Sequence, residues 1–179
     1  MFPRCERACP ALGGKKPFVD KLQRVFDEGL YDPANEPDIA YAHLFSYFKG
    51  EEWRTQKELH RLLQKYFKNA PDGIPGNDDT GTMSAWAIFN MMGFYPDCPG
   101  EPAYTLSTPV FDKVTIKLDP KYWGRDQLVI ETERPSAESL YIREMELGGK
   151  NCPDIVSLMK NWCRVENCDL VFDRYCESG

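Results

Sequence analysis

The sequence predicts a mainly α chain with a small β appendage, its alternating outer and inner helices forming an arc of an α/α barrel. Three observations lead there. Between residues 17 and 92, segments with a one-sided apolar stripe alternate with segments apolar on nearly every side. Beyond residue 112 the apolar period falls to two. Glycine and proline mark the joins.

Residues 17–28 place Phe18, Val19, Leu22, Val25 and Phe26 at i, i+1, i+4, i+7 and i+8. Lys21, Arg24, Asp27 and Glu28 lie opposite, and Gly29 can end this outer helix. After a turn-rich connector, residues 39–48 carry Ile39, Ala40, Tyr41, Ala42, Leu44, Phe45, Tyr47 and Phe48, so this inner helix is expected to be buried all round. Residues 51–68 return to a stripe of Leu59, Leu62, Leu63, Tyr66 and Phe67. Residues 82–92, from Thr82 to Met92, are again apolar on most sides and stop at Gly93. Buried helices need neighbours on both sides, so four helices make only an arc. The proline-rich stretch 95–102 follows, then strand-like runs at 113–118, 127–132 and 140–147. Residues 151–179 show neither helical stripe nor alternation, apart from 169–175.

Composition narrows the chemistry. Acidic residues outnumber basic ones 28 to 22, for a net charge of -6, and no Lys/Arg stripe suits nucleic acid. No apolar run of about 18 residues is present to span a membrane. Residues 1–20 do not read as a secretory signal. Of seven cysteines only Cys98 lies centrally; none forms a CxxC pair, and His43 and His60 are the only histidines. Zinc and a disulfide framework are therefore disfavoured, and free thiols are expected.

Two connectors stand out, 35–38 (Asn35, Glu36, Pro37, Asp38) and 73–81 with Asn77, Asp78, Asp79 and Thr80. Each leads from an outer helix into an inner one. Inner helices of such an array run in one direction, so Glu36, Asp38, Asp78 and Asp79 are expected at one end. An oxygen-rich, histidine-free cluster suits calcium, and an enclosed carboxylate can serve as a general base. The plainer alternatives are caps: Asp79 or Thr80 before the last helix, and Asn35 or Glu36 ahead of an N1 proline. The second loop lacks EF-hand spacing, and no Gly-Lys-Ser/Thr makes it a P-loop. Trp53 and Trp86 fit core packing better than sugar stacking, and both histidines read as structural.

The stretch from Gly73 to Pro96, with Asn77-Asp78-Asp79-Thr80-Gly81 inside it, resembles the signature of glycoside hydrolase family 92. Residues 29–38, the Trp53-Arg54-Thr55-Gln56 helix start and residues 107–112 resemble it too, and the likeness covers roughly residues 13–150. The family comprises calcium-dependent, inverting exo-α-mannosidases with a β-sandwich and an (α/α)6 barrel. The resemblance implies Asp79 as general base with Asp78 in support, Asn35 and Glu36 as calcium ligands, and Asn77 at the substrate. It implies mannose-containing glycans as partners and a periplasmic or secreted setting. The family's general acid precedes the matching segment and is expected to be missing, with the N-terminal part of the enzyme. The resulting division is an off-pattern start at 1–12, part of the barrel at 13–96, a β region at 97–150 and an off-pattern cysteine-rich tail at 151–179. Those ends suggest a truncated or frame-slipped longer gene. Three readings compete: an enzyme portion inactive alone, a calcium-dependent carbohydrate-binding or interaction module, and a fragment whose severed apolar faces aggregate.

Overall fold

A computed structural model describes residues 10–98, 100–136, 138–151, 156–158 and 167–173, the last two stretches by their backbone alone. The chain divides into two units, Met1–Ile88 and Phe89–Gly179.

In the first unit, α1 (Lys15–Asp27) buries Val19, Leu22 and Phe26, the stripe expected from the sequence. α2 (Glu52–Tyr66) buries Leu59, Leu62 and Leu63 in the same manner, with Thr55, Gln56 and Glu58 beside them. Phe26 stacks on Tyr31 at 5.1 Å and tilts against Phe45 at 5.9 Å, while Phe18 meets Phe48 at 5.2 Å. Each such side chain taken out of water contributes about 1.5–3 kcal/mol. Polar contacts set the register. Gln23 donates to Glu58 at 3.0 Å, Arg54 donates to Gln23 at 2.8 Å, and Ser46 donates to Thr55 at 2.8 Å in a buried hydroxyl pair.

The segment expected to be an inner helix is a 3-10 helix, Glu36–Tyr47. Its burial has a three-residue period: Ala42, Phe45 and Phe48 are buried, as are His43 and Ser46, whereas Tyr41, Leu44 and Tyr47 are half-exposed. A 3-10 turn eclipses positions i and i+3, so the uncovered residues fall in one column. An apolar residue at nearly every position leaves no contrast from which 3.0 and 3.6 residues per turn could be told apart. α3 (Thr82–Met92) also departs from burial on every side. Met83 and Trp86 are buried, but Ala85 and Ile88 face outward, Ile88 with 56 % of its surface exposed.

The second unit holds two sheets. β1 (Phe94–Tyr95), β2 (Ala103–Leu106) and β6 (Val156–Leu158) form one in the order β1-β2-β6. The other has the order β3-β4-β7-β5, from β3 (Lys113–Lys117), β4 (Gln127–Glu133), β5 (Tyr141–Leu147) and β7 (Asn167–Asp173). β7 pairs in parallel with β4 and antiparallel with β5, so the central strand overlaps 169–175, the one part of the tail whose pattern stood out in the sequence. The core gathers Phe94, Leu106, Leu128, Ile130, Met145 and Leu147. Between β3 and β4 a short turn, α4 (Pro120–Trp123), is capped by Asp119, whose carboxylate accepts the Lys121 N–H at 2.9 Å. Cys98 is half-buried. The first nine residues and most of the tail, with the remaining cysteine side chains, lie outside the described residues. Among the described residues no helix is long and apolar enough to cross a membrane.

Candidate functional site

The connector ahead of the 3-10 helix is bonded to itself. Asp32 O accepts the Asn35 N–H at 3.1 Å, and Asn35 O accepts the Asp38 N–H at 2.9 Å. The Asp38 side chain closes the turn. Its Oδ2 accepts the Asp32 N–H and its Oδ1 accepts the Asn35 Nδ2–H, both at 3.1 Å. Asp38 is only 9 % exposed, whereas Asn35 and Glu36 face solvent. Asn35 occupies the N-cap position with extended backbone but makes no side-chain cap bond, and Pro37 stands in the first turn. The plainer expectation for this connector thus holds only in placing a proline in the first turn, at the second helical position rather than the first, and the side-chain cap is absent.

In the second connector the neighbouring aspartates divide. Asp78 Oδ1 accepts the Ser84 N–H at 2.8 Å and Oδ2 accepts the Ser84 hydroxyl at 3.0 Å, so Asp78 holds the start of α3. The cap expected of Asp79 or Thr80 belongs to Asp78 instead. Asp79 and Thr80 have φ of 47° and 61°, the left-handed region, followed by Gly81 at 92°. Each non-glycine residue there costs about 1–3 kcal/mol, and for the β-branched Thr80 the conformation is a genuine outlier. The strain is held by the turn itself: Gly81 N–H and Met83 N–H both reach Asp78 O at 3.1 Å, and the Thr82 hydroxyl donates to Asp79 O at 2.7 Å. The Asp79 and Asn77 side chains are exposed, and Asp78 is half-buried.

The connectors touch. A Cβ placed on Gly76, whose φ is 67°, would lie 2.7 Å from Ala34 Cβ, so only glycine permits the approach. Behind this contact Trp86 donates its indole N–H to Ile39 O at 3.1 Å and stacks on Phe67 at 5.4 Å. Gly76 lies three residues before Asp79, and Ala34 two before Glu36, so both acidic bends belong to one end of the unit. Trp86 is 1 % exposed, which makes it a core residue, and His43 is buried against it. Trp53 is half-buried under the Arg54 guanidinium, 4.6 Å from its ring.

The donors on offer are oxygens: the Asn35 amide, the Glu36 carboxylate and the turn carbonyls. In kind they suit a hard cation; in number they fall short of the six to eight that calcium takes. Among the described residues no three His, Cys, Asp or Glu side chains gather as a metal cluster. Sequence reasoning missed Asp38 as the clasp of the first turn and the left-handed run at Asp79 and Thr80. Neither has a local sequence signal, since both depend on backbone geometry.

The family model described as the glycosyl hydrolase family 92 catalytic domain matches residues 7–167, further at both ends than the quoted motifs reach. A protein of Arthroderma benhamiae described as an uncharacterized secreted glycosidase is 33 % identical over 140 residues, 78 % of this chain and 18 % of its own length. The family GH92 α-mannosidase BT3965 of Bacteroides thetaiotaomicron superimposes with a TM-score of 0.77 at 29 % identity, over 89 % of this chain and 21 % of its own. The GH92 inverting mannosidase BT2199 of the same organism gives 0.81 at 26 % identity, over 96 % and 26 % respectively. The chain thus spans about a fifth to a quarter of these relatives' lengths, and it belongs to glycosyl hydrolase family 92.

Proposed function

We propose that this chain is the base-bearing and calcium-binding portion of an inverting exo-α-mannosidase acting on terminal α-mannosides of N-glycans or mannans. The observation that carries the reading is the meeting of two acidic bends through Gly76 and Ala34, with Asp79 held in a left-handed turn beside a capping Asp78. The outward faces of α3 and the 3-10 helix fit an arc whose neighbouring barrel helices belong to the rest of such an enzyme. The setting proposed is secreted or periplasmic, as the description of the Arthroderma benhamiae relative suggests.

The roles follow from the local geometry. With Asp78 committed to Ser84, Asp79 is the carboxylate available to take a proton from a water attacking the anomeric carbon. Asn77 stands beside it for a sugar hydroxyl. Asn35 and Glu36 would hold calcium, with water and the sugar supplying the remaining oxygens. When bound, the ion would supply positive charge that polarises hydroxyls of the terminal sugar. An inverting pair needs an acid about 6.5–9.5 Å from the base, and this reading assigns it to a part of the enzyme that the chain does not span.

A substrate whose leaving group needs no protonation tests the base alone. The isolated chain is expected to release fluoride from α-mannosyl fluoride in a calcium-dependent manner, yielding β-mannose, and to leave α-1,2-mannobiose intact. Asp79→Asn abolishes fluoride release. Hydrolysis of mannobiose would show that the acid is present after all. Fluoride release that is absent, or indifferent to Asp79→Asn, would remove Asp79 as the base.

A further inference from the structure

We infer that Asp38 is a positioning residue that turns the Asn35 amide so that its oxygen, not its nitrogen, faces the cation site. This rests on the calcium reading proposed above.

The argument is one of donors and acceptors. An amide has two ends of similar shape and opposite polarity, and only the oxygen can ligate a cation. Nothing in Asn35 itself selects which end points outward. Asp38 does: its Oδ1 accepts from Asn35 Nδ2 at 3.1 Å, so the NH2 is the end turned toward Asp38. The oxygen is thereby left on the outer side of an exposed residue. Asp38 is itself fixed, since its Oδ2 accepts the Asp32 N–H at 3.1 Å and its own N–H binds Asn35 O at 2.9 Å. It is also nearly buried, so it has little freedom to turn away. Groups that orient a metal ligand in this way typically change affinity by about 10–100-fold when altered.

Calcium titration of the whole chain, followed by 15N–1H NMR at the Asn35 side-chain amide and the Glu36 backbone, tests the inference. Wild type is expected to show saturable shifts at both. Asp38→Asn presents an NH2 of its own to Asn35, favours the flipped amide and weakens calcium binding at least about 10-fold. Asp32→Asn removes the same charge from the same turn while keeping an oxygen for the Ala34 N–H; it is expected to cost no more than about threefold. In N35D/D38N the orientation problem disappears, because a carboxylate presents oxygen either way, and affinity returns to within about threefold of wild type. Thermal melts without calcium verify folding. If Asp38→Asn does not fold, the wild-type Asn35 side-chain amide decides without calcium: slowed solvent exchange of one NH2 proton, as the bond to Asp38 Oδ1 requires, upholds the inference, and free exchange of both overturns it.

Equal binding by Asp38→Asn and wild type overturns the inference and leaves the calcium reading standing. So does equal weakening by Asp38→Asn and Asp32→Asn, which would be a charge effect, or failure of N35D/D38N to recover. Wild type that binds no calcium removes the calcium reading and this inference together.

Discussion

Two adjacent carboxylates should respond to mutation in opposite ways. Asp78 accepts two hydrogen bonds from Ser84, at 2.8 and 3.0 Å, each worth about 1 kcal/mol net. Asp78→Ala is therefore expected to cost about 2 kcal/mol, within the usual range for a lost helix cap. In a unit of 88 residues that lowers Tm by roughly 10 °C. Asp79→Ala removes an exposed carboxylate but keeps a Cβ at the same positive φ, where alanine is tolerated less well than aspartate, and should cost no more than about 1 kcal/mol. Asp79→Gly relieves about 1–2 kcal/mol of left-handed strain and adds about 0.5–1 kcal/mol of unfolded-chain entropy, for a net gain between zero and about 1.5 kcal/mol. Urea unfolding followed by far-UV circular dichroism resolves these differences. If Asp79→Ala lost as much stability as Asp78→Ala, or Asp79→Gly lost any, the assignment of cap to Asp78 and stored strain to Asp79 would be wrong.

The α1–α2 contact offers a second test. Glu58, 2 % exposed, is ion-paired with Arg61 at 2.7 Å and accepts from Gln23, so Arg61→Ala leaves a buried carboxylate short of charge. With Arg61 itself 43 % exposed, a cost of about 2 kcal/mol is expected, and E58A/R61A should fall below the sum of its single variants by about 1–2 kcal/mol in a double-mutant cycle. Thr55→Val strands the buried Ser46 hydroxyl and should cost about 1–3 kcal/mol, while S46A/T55V, which removes both groups, should recover most of it in the same urea assay.

Much of the helical unit was legible because its cause is local. A stripe such as Val19, Leu22 and Phe26 has one geometry that buries it, and Gly29 and Gly93 end their helices for steric reasons. The strand runs were legible for the same reason: alternation at Val114 and Ile116 matches the pleat of β3. Legibility fails where every residue is apolar, as in the 3-10 helix, and where the partner is distant, as for β7 entering between β4 and β5. The candidate site divides in the same way. Its residue types and the convergence of its two bends were readable from helix direction, whereas the separate duties of Asp78 and Asp79 were not. A cap is chosen by the dihedral angles of the residues between it and the helix; aspartate at 79 tolerates the left-handed region, but nothing in the β-branched Thr80 announces it.

Sequence by itself determined the family, the helix-then-strand order and the oxygen-only character of the acidic bends, because residue chemistry and short-range periodicity survive without coordinates. Tertiary structure alone decided that Gly76 lets the bends touch at Ala34, that Asp78 rather than Asp79 caps α3, and that Asp38 clasps the Asn35 amide. Each of those depends on distances of about 3 Å between groups whose positions are set by the whole helical unit, and no local pattern encodes them.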